Sequence, residues 1–212
     1  MIDLHNQDCL EAMKQMKNNQ FDLAIVDPPY GGNDAIGLKD NKSKNKQAAK
    51  RTDYKVFDNV APSAEYFEQL QRISKNQIIW GVNFYNNYDL SGGRIVWDKK
   101  GTAFGRAELA YYSNSKSVNV FEYTWNGMIQ ADMKNKEIII HPTQKPVKLY
   151  EWLLDNYAEE GQTILDTHLG SGSIALACHN RGFDLTAFEI DEEYYNNAVK
   201  RLKTHQQQLT MF

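Results

Sequence analysis

The chain reads as an α/β protein with one mainly parallel sheet, and three observations predict it. Short β-type runs alternate with amphipathic helices, which points to a sheet flanked by helices rather than a sandwich. A late strand runs into a Gly-rich loop and then a helix, a local order that belongs to nucleoside-binding sheets. No internal repeat or long low-complexity tract interrupts the rhythm, and 212 residues suffice for a single domain with a real core.

The elements follow in order. A strand at 2–5 leads to a helix over 8–16, where Asp8 and Glu11 stand as a capping pair and Cys9, Ala12, Met13 and Met16 share one side. Phe21–Val26 is an apolar strand. A helix over 62–74 lines up Tyr66, Phe67, Leu70 and Ile73, and strands follow at 77–80, 94–97 and 108–112. The next helix, 146–157, has Pro146 near its start and Leu149, Tyr150, Leu153, Leu154 and Tyr157 at helical spacing. A strand at 163–166 precedes a helix at 173–181, which Gly182 ends as a C′ residue. A seventh strand at 185–189 precedes a helix over 191–203 behind an Asp cap, with Tyr195, Ala198, Val199 and Leu202 on one side. Two segments break the alternation and read as insertions on the rim. Residues 39–51 carry six cations against one anion, and about 113–137 mixes aromatic with polar side chains.

Composition removes several classes. No apolar run approaches the ~20 residues that span a bilayer, and the N-terminus lacks the layout of a signal peptide, so the expected location is the cytoplasm. Cys9 and Cys178 are too few for a disulfide framework and lack metal-ligand spacing; both are expected to be small, at least half-buried side chains, and no metal is expected. A net charge of −3 does not advertise a nucleic-acid binder, so the local gathering of cations matters more.

Three motifs carry chemistry. Asp27-Pro28-Pro29-Tyr30 directly follows the strand Phe21–Val26, and the carboxyl end of a strand is where open sheets bind ligands. Consecutive prolines make a rigid turn. An amino group undergoing alkylation needs acceptors for its two N–H groups, which the Asp27 carboxylate and the Pro28 carbonyl can supply, and Tyr30 can stack on a base. The bland alternative is a strand-ending turn with an acidic cap. Residues 163–173 (TILDTHLGSGS) form the strand, Gly-rich loop and helix start. Gly170 and Gly172 allow close backbone approach, and Glu189 ends the next strand, where an acidic residue grips ribose hydroxyls. The glycine spacing favours a mononucleoside over a dinucleotide. The third motif, His141-Pro142-Thr143-Gln144-Lys145-Pro146, precedes a helix that Thr143 could cap.

Taken together these segments resemble the DNA amino methyltransferases of permuted motif order, the β group, and matching stretches extend over most of the chain. Asn6 to Leu10, Ile78 to Tyr85, Val96 to Lys99 and Ala107 to Ala110 resemble further family segments. The resemblance implies a Rossmann-like methyltransferase fold, a seven-stranded sheet with one antiparallel strand near its edge and circularly permuted order. It implies an S-adenosylmethionine pocket lined by Asp8, Thr143, Lys145, Asp166, Gly170, Ser171, Gly172 and Glu189, with Asp27, Pro28, Pro29 and Tyr30 holding the target base. Two departures stand out: Thr167-His168 replaces the family's frequent Pro-Phe, and the room for target recognition, about 113–137, is small.

The implied reaction is direct methyl transfer to a flipped base in DNA, with adenine N6 favoured because Asp leads the tetrad. Cytosine N4 methylation and a non-catalytic nucleoside-binding module of the same fold are the alternatives. Of the aromatics after the central strand, Trp80 and Phe84 are as readily core residues as base contacts. Lys42, Lys44, Lys46, Lys50 and Arg51 are candidate phosphate contacts, with a solvated loop as the alternative. Monomer and homodimer are both compatible with the sequence.

Overall fold

The computed structural model describes residues 1–31, 60–101, 105–126 and 129–209. The basic segment 39–51, with its five candidate phosphate contacts, lies outside them.

The chain runs β1 (Ile2–Asn6), α1 (Cys9–Lys14), β2 (Phe21–Val26), α2 (Ala64–Ile73), β3 (Ser74–Trp80), β4 (Gly93–Asp98), β5 (Ala107–Tyr112), β6 (Val118–Glu122), α3 (Val147–Tyr157), β7 (Thr163–Asp166), α4 (Ser173–Arg181), β8 (Asp184–Glu189) and α5 (Glu192–Leu209). The sheet order is β1-β8-β7-β2-β3-β5-β4-β6. All neighbours pair in parallel except β3 with β5 and β4 with β5, so β5 is the one reversed strand.

All seven expected strands form, but the described residues hold eight. The addition is β6, inside the segment expected to be an insertion, and it pairs with β4 from Arg94↔Val118 to Asp98↔Glu122. It is an edge strand with one covered side. Phe121 packs against Trp152 of α3, ring centroids 5.1 Å apart, while Val118 and Val120 stay exposed. A run covered on one side only, with Asn119 and Glu122 inside it, carries too weak an apolar signal to be read as sheet. What remains of the expected insertion is therefore shorter than 113–137.

Helices lie on both faces. Met13 of α1 and Tyr66, Phe67, Leu70 and Ile73 of α2 pack with Ala24, Val26 and Ile79. Leu149, Leu153 and Leu154 of α3 and Ile174 to Cys178 of α4 pack with Leu23, Ile25, Ile78 and Trp80. The central strand β2 is thus covered on both sides, which is why it is apolar almost throughout. Cys178 is buried and Cys9 half-buried, as expected.

The caps show local chemistry at work. Asp8 accepts from the N–H groups of Leu10 and Glu11, but Glu11 turns to Lys14 instead of closing the reciprocal box. Asp191 accepts from Glu193 and Tyr194 at the head of α5. Gly182 ends α4 at φ 74°. Thr143, however, does not cap α3: its hydroxyl meets His141 Nδ1 at 3.1 Å, and the Val147 N–H donates instead to Glu137 at 3.0 Å. A carboxylate brought in by tertiary packing has taken the cap's place.

Candidate active site

The sheet order decides where chemistry can collect. From β2 the chain steps outward to β3 on one side, while β7, β8 and β1 fill the other, so the loops after β2 and β7 diverge from a switch point. Asp27 follows β2, which ends at Val26, and the Gly-rich loop follows the adjacent β7, which ends 140 residues later at Asp166.

Asp27 is held on both oxygens. The Tyr30 hydroxyl donates to Oδ1 at 2.7 Å, and Lys145 Nζ donates to Oδ2 at 2.5 Å. The Pro28 carbonyl accepts from the buried Tyr85 hydroxyl at 2.8 Å, which leaves its second lone pair for another donor. The Tyr30 ring stacks on Phe84, centroids 4.8 Å apart and planes at 9°. Gly81, at φ 76°, makes room for that ring: a Cβ there would lie 2.2 Å from Tyr30 Cε1. Of the two aromatics singled out from sequence, Trp80 is core at 0% exposure, whereas Phe84 is 41% exposed and belongs to the site.

Lys145, which the resemblance implies for the cofactor pocket, has its ion-pair partners in this group. It is only 4% exposed, and besides Asp27 it contacts Glu108 at 2.9 Å. Glu108 is also paired with Lys99. Burial opposes a charged Lys145, yet Asp27 and Glu108 hold its ammonium above the usual range. Glu108, Lys99 and Tyr85 lie in segments that resemble the family's, but none of them carries an expected role in the site. Besides that resemblance, the local signal for Glu108 is a glutamate near the start of an otherwise apolar run, Ala107-Glu108-Leu109-Ala110.

Across the crevice, Gly170 and Gly172 take φ 52° and 73°. Glu189 ties the loop down by accepting from Gly170 N–H at 2.8 Å and Asp191 N–H at 3.0 Å. Ser171 is buried, its hydroxyl 3.0 Å from that of Ser173, and its carbonyl accepts from Arg201 at 3.0 Å. Asp166 accepts from the His168 N–H at 3.0 Å. Burial, helped by the charges of Asp27 and Glu189, pushes its carboxyl up to about 8 against that hydrogen bond. The Thr167-His168 departure forms its own chain: Tyr66 OH, Thr167 Oγ1 and His168 Nδ1 are linked at 2.6 and 2.9 Å. Burial drops His168 to about 4, opposed by the nearby Asp8 charge. His141, likewise lowered to about 4 by burial and then by Lys145, lies against Gly170.

The charges of Asp27 and Glu189 thus both reach Asp166, that of Asp8 reaches His168, and Lys145 brings a cation beside Asp27. An acidic surround with glycine backbone at its floor suits a nucleoside that carries positive charge. Among the described residues no group of side chains is arranged to hold a metal ion, and no helix is long and apolar enough to cross a membrane.

Comparison with known proteins meets this geometry. A family described as DNA methylase matches residues 39–200. The type II methyltransferase M.HpaI of Haemophilus parainfluenzae is 24% identical over 230 residues, covering 91% of this chain and 71% of that protein. M2.DpnII of Streptococcus pneumoniae is 23% identical over 246 residues, covering 96% and 90%. Among solved structures, an M1.HpyAVI–SAM complex superposes with a TM-score of 0.56 at 19% identity, over 95% of this chain and 100% of that one. The cytosine-N4-specific PvuII DNA methyltransferase gives 0.60 at 12% identity, over 98% and 92%. At such identities the structural likeness establishes the fold.

Proposed function

The chain belongs to the DNA methylase family of N6 and N4 amino methyltransferases, and from that premise we propose that it methylates the exocyclic N6 amino group of adenine in DNA. The observation that carries amino methylation is the pair of acceptors at the end of β2, the Asp27 carboxylate and the half-engaged Pro28 carbonyl, beside the Gly-rich loop after β7; Asp27 at the head of the tetrad supports adenine.

The implied cofactor is S-adenosylmethionine, which supplies an electrophilic methyl group on a sulfonium. The acidic crevice fits its positive charge. Glu189 would face the ribose, Asp8 the adenine, and Asp166, Gly170, Ser171 and Gly172 the remainder, with Thr143 at the rim. An amino nitrogen conjugated to a base ring is a poor nucleophile. Two acceptors drawing on its N–H bonds favour a pyramidal nitrogen whose lone pair is freed for attack. Tyr30 orients the Asp27 carboxylate through its hydroxyl, and Tyr30 with Phe84 offers an aromatic wall for the extruded base. Holding the reacting atoms in line contributes much of the rest, since orientation is worth ~7–11 kcal/mol. Lys42, Lys44, Lys46, Lys50 and Arg51 would meet phosphates on either side of the flipped base, giving affinity without sequence information.

Expression in methylation-free cells, with single-molecule reading of modified bases, tests the function directly. N6-methyladenine at a defined site is expected; N4-methylcytosine would replace the adenine assignment while keeping the chemistry, and unmodified DNA would leave the non-catalytic module.

The cofactor site makes a separate prediction about pH. With Asp166 titrating near 8, the free protein holds a proton there at neutral pH. A cation arriving beside it favours the ionised form, so binding releases that proton. S-adenosylmethionine affinity should therefore rise with pH by up to about tenfold per unit below 8 and level off above it. Calorimetry in buffers of different ionisation enthalpy counts the proton; a count of zero between about pH 6 and 7.5 would remove Asp166 from the cofactor's surroundings.

A further inference from the structure

Asp27, Lys145, Glu108 and Lys99 form a line of alternating charge. Only Asp27 belongs to the tetrad. The topology explains how the others reach it: β5 runs backwards, so Glu108 near its start lies at the carboxyl ends of β3 and β4, with Lys99 just past β4. The Gly81 N–H donating to the Leu109 carbonyl at 2.8 Å ties that corner together. Lys145 Nζ is also 5.4 Å from the centroid of the buried Trp80 ring. Lys145 is the ion in this line furthest from water, and a buried ion pair is weak evidence for stability, because replacing it by packed apolar groups is often neutral or better.

We propose that Glu108 is a positioning residue that sets the basicity of Asp27 by sharing Lys145 with it. The proposal rests on the reading that Asp27 receives the amino group of the target base. Methyl transfer leaves the amino nitrogen positively charged, with one proton too many. That N–H bond breaks, its electron pair returns to nitrogen, and an O–H bond forms on Asp27. Asp27 must therefore be ionised yet still basic. An ammonium serving Asp27 alone would keep it ionised but make it a poor base, and would cancel the negative charge that faces the developing cation. Glu108 draws the same ammonium toward a second anion, so that it does not serve Asp27 alone. Glu108 can do so because it stays ionised: burial opposes its charge, but Lys145 and Lys99 hold its carboxyl down to about 2. Among the described residues, the charge of Asp27 also reaches Tyr30, Tyr85, Tyr150 and Asp166, and burial keeps the three tyrosines neutral.

Two variants of the full-length protein test this with opposite signs. Glu108→Gln leaves Lys145 to Asp27 alone, so the acid limb of the kcat–pH profile should move down by about half a unit or more. Its plateau should fall about tenfold or more, with KM for DNA and Kd for S-adenosylmethionine within about threefold of wild type. Lys99→Met leaves Glu108 wholly to Lys145, and the acid limb should move up. Independently of turnover, the Lys145 ammonium followed by NMR should titrate at lower pH in Glu108→Gln. An unmoved limb in both variants, shifts of the same sign, or a Glu108→Gln defect confined to KM and Kd would each overturn the proposal. Should Glu108→Gln fail to fold, the direction of the Lys99→Met limb decides. If wild type modifies no base while Lys145 responds as expected, the methyl-transfer reading fails and the coupling stands. If wild type is active and Lys145 is indifferent to Glu108, the positioning role alone fails.

Discussion

Asp27→Asn is expected to lower methyl transfer by about 10²–10⁴-fold, the range for losing a positioned acid–base group, while S-adenosylmethionine affinity stays within about threefold. The amide keeps the shape of the carboxylate and can still accept from Tyr30, so the loss isolates charge and basicity from packing. Lys145 keeps Glu108 as an anionic partner, which limits the damage a stranded buried ammonium would cause. Cofactor binding is spared because Glu189 and the Gly-rich loop hold their geometry without Asp27. A single-turnover assay with tritiated methyl donor, beside calorimetry on the same preparation, separates the two quantities. Turnover within about threefold of wild type would remove Asp27 from the chemistry.

Gly81→Ala should also damage turnover, though less, and it acts through the Tyr30 ring. Two effects combine. A left-handed backbone costs a residue with a Cβ about 1–2 kcal/mol, and the new methyl would stand 2.2 Å from the Tyr30 ring. That ring has little freedom to yield, since its hydroxyl is tied to Asp27 and its face lies on Phe84. Tyr30 must leave its place and release Asp27 Oδ1. The expected result is a turnover loss of about tenfold or more with cofactor affinity unchanged, and a melting temperature lower by about 2–8 °C. A double-mutant cycle with Tyr30→Ala isolates the clash: in that background Gly81→Ala should cost little beyond backbone strain. If the two losses simply add, Tyr30 is not the route by which Gly81 acts.

Much of this was legible in the sequence because local chemistry carried it. The apolar run of β2, the helical spacing in α2 and α3, the caps Asp8, Asp191 and Gly182, and the motif segments after β2 and β7 are each signalled by residues a few positions apart. The relation between those segments was available only through resemblance. The tertiary structure decided what depends on elements distant in the chain. The edge strand β6 exists because β4 and α3 support it, and two of its own five residues, Asn119 and Glu122, are polar. Glu137 caps α3 in place of Thr143 because packing delivers a carboxylate to Val147 N–H. Lys145 meets both Asp27 and Glu108 because two carboxylates, one after β2 and one at the start of the reversed strand β5, converge on it. Periodicity reports which face of an element is apolar, but Coulomb attraction acts through space. Partners 118 and 37 residues away in the chain, as Asp27 and Glu108 are from Lys145, become partners only once the sheet has folded.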